Sequence, residues 1–264
     1  MNIHWFHRYH GSTPKDFKVI SNILEDAGYY SMLTVYHSKI SDSWIKIAHS
    51  LDPEHKLKYM IAMRTYAISP EYCAMLCEGF NEISPDRLML NIAAGDIHVD
   101  ETSVDDVVAI SDLLKTHDDR VKYTSDWLEK FLNLEVLRNK PEIIISGTSE
   151  NTINNANTYG DGHLSMYSSY KEGLNRLIKT PKRMVCLPMI IRDTHQEALE
   201  VYEKQPKNLG GMGLLSCLFG TEYEIIESIK NLEKEGVTDL LISKAHDDEQ
   251  YYRIHSMVKR FNNK

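Results

Sequence analysis

The segment Glu142-Ile-Ile-Ile-Ser-Gly-Thr-Ser-Glu150 runs from a buried apolar stretch into Gly147, Thr148 and Ser149 and then into a helix start. A strand, a glycine, hydroxyl residues and a helix N-terminus in that order aim backbone N–H groups and a positive dipole end at one point, which suits a phosphate. The same residues also make an ordinary strand-to-helix turn with Ser149 as N-cap, and the segment alone leaves both readings open. A second segment, Asp86-Arg-Leu-Met-Leu-Asn-Ile-Ala-Ala-Gly-Asp96, delivers Asn91 near the end of a strand and passes into small residues. Small side chains let a flat ring approach the backbone, and an amide can donate to or accept from a heterocycle. Here too the plain alternative stands: a satisfied polar residue ending a strand.

His4, His7 and His10 invite a metal reading. In an extended strand, however, His4 and His7 point to opposite faces, and the H-x-H spacing that sets two imidazoles side by side is absent, so no metal is expected. His98, Asp100 and Glu101 lie in an acidic stretch that reads as a solvated loop. Cys73, Cys77, Cys186 and Cys217 form no C-x-x-C pair and read as reduced thiols.

These residues need elements to position them. Short apolar runs alternate with longer amphipathic stretches along the whole chain, the pattern of βα units around a parallel sheet. The expected strands are Ile3 to Arg8, Met32 to Tyr36, Lys58 to Met63, Leu88 to Ala93, Glu142 to Ser146, Gly162 to Met166, Met184 to Ile190 and Asp239 to Ser243. Eight is the number that closes a TIM barrel, so the expected fold is a single (β/α)8 barrel with short insertions, one domain over residues 1–264. One helix takes Thr13 as N-cap and Pro14 at N1, places Phe17, Ile20, Leu24 and Ala27 on one face, and stops at Gly28. Another opens with Thr221 and Glu224 spaced as a capping box, buries Ile225, Ile229 and Leu232, and ends at Gly236. A third carries Tyr123, Trp127, Phe131 and Leu134 as a packing stripe. The least regular segment, Glu203 to Gly220, reads as a lid over the barrel mouth, a short packed helix or a subunit contact.

Length and charge narrow the function. The 264 residues suit one large barrel, and the net charge of -8 argues against a phosphate-backbone partner, so no nucleic acid is expected. No apolar stretch approaches 18 residues and the first residues show no leader pattern, so the expectation is a cytoplasmic protein with no membrane contact.

At these same residues the chain resembles the luciferase-like monooxygenases, and most of all their alkanesulfonate monooxygenase branch. That branch has a VAVRP strand and turn, a helix, then GRL-L-INLVTGGD. The matching residues here are Ile61-Ala-Met-Arg64, Ser69-Pro70 and Asp86 to Asp96, with the spacing kept. The family's YFGGSSEAA turn resembles Ile145-Ser-Gly-Thr-Ser-Glu150, followed after the helix by Tyr159-Gly-Asp-Gly-His-Leu164. Its D-E-R-Y-E-A-S helix start resembles Asp118-Asp-Arg120, and its LGIDTFILSG end resembles Glu235-Gly-Val-Thr-Asp-Leu-Leu-Ile-Ser243.

The resemblance implies a TIM barrel with FMN at its C-terminal mouth: the phosphate on the Gly147-Thr148-Ser149 turn, the ring over the strand ends carrying Arg64 and Asn91, and Tyr123 standing in for the family tyrosine that here falls on Val121. It implies a two-component monooxygenase, in which reduced FMN from a separate flavin reductase reacts with O2 and the flavin C4a-peroxide transfers one oxygen atom to a small organic substrate. Candidate polar groups at the mouth are His7 and His10 after the first strand, His37 after the second, Tyr66 after the third and His98 after the fourth. A homodimer or higher homo-oligomer is usual for the family. The sequence also departs from that branch: its R-L-H-V-I-V-R strand corresponds to Cys186-Leu-Pro-Met-Ile-Ile-Arg192, so Cys186 and Pro188 replace its Arg and His, and its C-E-D-P-W run is matched by Ile40-Ser-Asp-Ser-Trp44. A flavin-binding relative without catalysis and an F420-dependent oxidoreductase are the alternatives on the same barrel. A metal-dependent barrel hydrolase is disfavoured by the missing H-x-H.

Overall fold

Alternation of inward and outward side chains along every strand closes the sheet around its own apolar filling. The computed structural model describes residues 1–7, 13–35, 42–94, 116–176, 179–204, 217–243 and 248–262. Eight parallel strands form the closed barrel: β1 (Asn2–His7), β2 (Ser31–Thr34), β3 (Lys58–Met63), β4 (Leu88–Ala93), β5 (Glu142–Ser146), β6 (Gly162–Met166), β7 (Lys182–Leu187) and β10 (Asp239–Ser243). Strands β1 to β7 follow one another around the ring, and β10 pairs with both β7 and β1 to close it. Leu33, Met60, Met89, Ile144, Leu164, Met184, Cys186 and Leu241 point inward and pack on one another, a filled interior rather than a pore. The outward set, including Ile3, Trp5, Tyr59, Ile61, Leu90, Ile145, Val185 and Leu240, packs in the larger core with the surrounding helices.

The amino end of the barrel is plugged by polar groups. His4, Ser31 and Asp239 are each fully buried, with His4 Nδ1 2.7 Å from Ser31 Oγ and Nε2 3.0 Å from Asp239 Oδ1. Beside them Glu142 pairs with Lys182 and, at 3.7 Å, with Lys58, and both ammonium groups lie over the Tyr30 ring. A barrel floor sealed in this way leaves the carboxyl end as the face for a ligand.

The helices among the described residues are α1 (Pro14–Asp26), α2 (Ser43–Ser50), α3 (Pro70–Ile83), α4 (His117–Leu132), α5 (Glu150–Tyr159), α6 (Tyr170–Leu174), α7 (His195–Glu203), α8 (Glu222–Lys234) and α9 (Asp248–Asn262). The expected caps are present. Thr13 and Asp16 form a reciprocal capping box at α1, with Pro14 in the first turn, and Gly28 follows the helix at φ +77°, the left-handed position that favours glycine. Thr221 and Glu224 cap α8 in the same way. The α4 stripe differs in one position: Trp127 and Phe131 stack at 4.9 Å within the core, but Tyr123 is 39 % exposed, because the buried face runs through Val121, Thr124 and Leu128.

The seventh expected strand, Met184 to Ile190, is two strands. Pro188 has no N–H to continue the ladder, so the chain leaves the barrel after Leu187, and β8 (Met189–Ile191) pairs instead with β9 (Leu218–Gly220) in a separate parallel two-stranded sheet. The Pro188 carbonyl accepts from the Leu218 N–H at 3.1 Å. The final residues of the segment read as a lid are therefore a strand, and its residues 205–216 lie outside the described ones. No described helix is long and apolar enough to cross a membrane.

Candidate functional site

All eight barrel strands are parallel, so their carboxyl ends share one rim. Three neighbouring strands bring polar side chains to it. Asn91 on β4 is 5 % exposed and donates from Nδ2 to Ser146 Oγ on β5 at 2.6 Å and to the Ile144 carbonyl at 3.3 Å. Both bonds use the amide donor, and Oδ1 takes part in neither. Arg64, directly after β3, donates from Nη1 to the Ala93 carbonyl at 3.4 Å. Ala62, Ala93 and Ala94 supply small surfaces beside these groups, as the sequence suggested for the approach of a flat ring.

The β5–α5 turn completes the arc. Gly147 sits at φ +140°, and a Cβ there would stand 2.9 Å from Thr152 Cγ2, so this position is built for glycine. Its carbonyl accepts from His163 at 2.7 Å; because a carbonyl only accepts, Nε2 carries the proton. Burial lowers the His163 pKa, which keeps the ring neutral. The Gly147 N–H continues the ladder to the Leu164 carbonyl at 3.4 Å, so of the three turn amides this one is spent on the sheet. Among the described residues the Thr148 and Ser149 amides meet no protein acceptor.

Ser149 is the N-cap of α5. Its Oγ accepts from Thr152 N at 3.3 Å, lies 2.8 Å from Thr152 Oγ1, and lies 3.4 Å from His117 Nε2. His117 opens α4, so the N-termini of α4 and α5 meet at this point. The reading of Ser149 as a helix cap and the reading of the turn as an anion cradle are thus compatible: the hydroxyl caps the helix, while the Thr148 and Ser149 amides are not used by any acceptor among the described residues.

The remaining candidates scatter. His7 is 8 % exposed on the outward face of β1, edge-on to Phe17 of α1 at 5.6 Å, with its pKa lowered to about 4 by burial and then by the Lys46 charge. His4, on the opposite face, belongs to the barrel floor. Tyr66 is half-buried in the short 3-10 turn Thr65–Ala67 after β3. That turn is fixed by a 3.0 Å contact between the Thr65 and Thr124 hydroxyls and by Trp127 donating to the Ile68 carbonyl at 2.8 Å. His10, His37 and His98 lie outside the described residues. Cys186 points into the barrel interior. Among the described residues no group of three or more His, Cys, Asp or Glu side chains could hold a metal ion.

Ser146, His163 and His117 are site residues that sequence reasoning missed. Ser146 and His163 carry a usable signal, since period-two alternation places Ser146 inward beside Asn91 and His163 outward behind the turn. Nothing local announces that His117 meets a residue 32 positions away.

Residues 1–249 match a family model described as luciferase-like monooxygenase. Solved structures share the fold. A long-chain alkane monooxygenase is 12% identical, with a TM-score of 0.75 over 99% of this chain and 91% of its own. The oxygenating constituent of 3,6-diketocamphane monooxygenase from the CAM plasmid of Pseudomonas putida, a type II Baeyer-Villiger monooxygenase in complex with FMN, is 15% identical, with a TM-score of 0.69 over 98% and 97%. An F420-dependent secondary alcohol dehydrogenase, in complex with an F420-acetone adduct, is 14% identical, with a TM-score of 0.71 over 99% and 97%.

Proposed function

The chain belongs to the luciferase-like monooxygenase family, and on that premise we propose that it binds FMN at the carboxyl end of the barrel as the oxygenating component of a two-component monooxygenase. In this reading a separate reductase supplies reduced FMN, and one oxygen atom of O2 goes to a small organic substrate. The observation that carries it is the donor set at the β5–α5 turn. The Thr148 and Ser149 amides, the Ser149 hydroxyl and the His117 ring lie together there, and the adjoining Glu150 is exposed. A set of donors at two helix N-termini fits a phosphate monoester.

Thr148, Ser149 and His117 would hold the phosphate, with Gly147 allowing the close turn. Arg64 and Asn91 would meet the edge of the ring. Bound reduced FMN would supply the two electrons that activate O2. The protein's part is to orient the ring and exclude water, and the packed layer of Met60, Met89, Ile144, Leu164, Met184 and Leu241 gives the site a dry floor.

The motif spacing is the support for a reading near the alkanesulfonate branch, while Cys186 and Pro188 in place of that branch's Arg and His favour a substrate other than a sulfonate. The same two replacements, together with Pro188 breaking the strand, support a second reading: a flavin-binding relative that does not oxygenate. An F420-dependent oxidoreductase is the third. The proposal also takes the chain as one domain over 1–264, cytoplasmic and self-associating. Oxygen consumption with chemically reduced FMN, tested against a panel of small organic substrates, separates them. Substrate-dependent, product-coupled uptake supports the monooxygenase; tight FMN binding without coupled turnover supports the second reading; and binding of F420 with hydride transfer and no oxygen use supports the third.

A further inference from the structure

The inward-facing side chains just below the rim divide the barrel mouth into two unlike halves. On β3, β4 and β5 they are small or polar: Ala62, Asn91 and Ser146, the last two joined by the 2.6 Å hydrogen bond. Further round the ring they are Met166 on β6, Cys186 on β7 and Phe6 on β1. Met166 and Cys186 are register partners on adjacent strands, and Phe6 pairs in register with Ser243 of β10, so this group is continuous across β6, β7, β10 and β1. Met166 and Phe6 are half-buried and pack on the sealed interior from the rim side, and Cys186 is buried beside them.

Charge is divided in the same way. The inward charged groups Lys58, Glu142, Lys182 and Asp239 all begin their strands, at the amino end, with the packed methionine and leucine layer between them and the mouth. Arg64 follows β3, on the small and polar side. Among the described residues, no charged side chain belongs to the group of Phe6, Met166 and Cys186. An ionised group set against a phenyl ring, a thioether and a thiol loses its water and gains no counterion, whereas an alkyl chain gains by leaving water for the same contacts. The unbranched thioether of Met166 also adapts to the outline of a flexible chain.

The assignment rests on the reading that places the flavin ring over the ends of β3 and β4. The ring then takes the small and polar half and leaves the apolar half to the substrate. We propose that Phe6, Met166 and Cys186 form the bed of the substrate and select an uncharged aliphatic compound over an anion of the same length.

Isothermal titration of the FMN-saturated full chain with octanol, octanoate and octanesulfonate tests this, repeated on the chain without flavin. Octanol should bind at least tenfold more tightly than either anion. Phe6→Ala should weaken octanol about tenfold, and Met166→Leu, which keeps an apolar side chain of similar volume, should hold it within about twofold. Met166→Lys should reverse the order, so that octanoate binds more tightly than octanol, with far-UV circular dichroism retained; if that variant does not fold, the comparison of Phe6→Ala with the parent decides. Anions that bind the wild-type chain as tightly as octanol overturn the proposal, and so does octanol that fails to bind or binds the Phe6→Ala chain equally well. The flavin reading is judged separately. FMN that fails to bind while octanol keeps its preference and its response to Phe6→Ala removes the flavin and leaves the apolar bed, whereas FMN that binds with no preference for octanol removes the bed and leaves the flavin.

Discussion

His163 donates its Nε2 proton to the Gly147 carbonyl across 2.7 Å, tying the start of β6 to the turn that leaves β5. The histidine is 1% exposed, so it acts on the rim from behind, through this one carbonyl. It fixes which way the Gly147–Thr148 peptide faces, and with it the direction of the Thr148 N–H. His163→Leu should therefore weaken FMN binding about tenfold by leaving the carbonyl unpaired and the turn free to rotate, about 1.4 kcal/mol. His163→Gln, which keeps a donor of similar reach, should recover most of that loss. Isothermal titration with FMN on the three proteins checks it; equal affinities would remove His163 from the account.

Gly147 itself admits no side chain. Gly147→Ala should destabilise the fold by about 1–3 kcal/mol, because the residue sits at φ +140° and its Cβ would press on Thr152 Cγ2. Chemical denaturation measures this, and a variant as stable as the parent would mean the turn adjusts freely.

Two buried histidines set the acid limb of stability. Burial lowers His255 to about 4, and burial together with the Lys46 charge lowers His7 to about 4. Both start from 6.5, so the unfolded chain binds more protons than the folded one between those values. The stabilisation of the neutral rings is complete above pH 6.5 and is lost as pH falls towards 4, on the order of 3 kcal/mol for each. His255 also accepts or donates at Nδ1 with the Tyr29 hydroxyl at 2.8 Å, inside a cage of Trp5, Tyr29 and Tyr251. His255→Phe should cost stability at pH 7 by orphaning that hydroxyl, yet flatten the slope of unfolding free energy between pH 6.5 and 4 by up to one proton. An unchanged slope would sink the assignment.

Ser31, His4 and Asp239 have the hydrogen-bond order of a hydrolytic triad, but all three are fully buried in the barrel floor, away from the rim. Ser31 should not react with a fluorophosphonate probe under native conditions. The bonds from His4 and Thr238 hold Asp239 down at about 2 against the opposing effect of burial. Its contribution is present above pH 3.8 and fades as pH falls through 2. Asp239→Asn should lower stability by about 1–3 kcal/mol and leave flavin affinity unaffected, which thermal unfolding and titration together decide.

Seven of the eight barrel strands were legible to within a residue or two because β-strand signals are local: apolar runs between capped helices. The failure at Met184 to Ile190 was also local. Pro188 stands in the middle of the run, and its missing N–H should have ended the strand there. The glycine turn and Asn91 were readable because each lies on a strand end whose position the pattern fixed. Counting strand ends places His7 at the end of β1 but does not say which face it takes; its parity with Ile3 and Trp5 puts it outward, against Phe17. The pairing of His117 with Ser149 was out of reach, since it depends on how two helix starts meet across the rim.

The central claim is that the β5–α5 turn holds the phosphate of FMN, and Ser149→Asp tests it most directly. The added carboxylate places a negative charge among donors meant for an anion and removes the serine hydroxyl, while an aspartate still caps a helix. Titration of the folded variant with FMN and with riboflavin, which lacks the phosphate, separates the two roles. The account predicts FMN affinity reduced at least tenfold, about 1.4 kcal/mol, with riboflavin affinity little altered. Unchanged FMN affinity, or equal weakening of both flavins, would show the turn to be a helix cap alone.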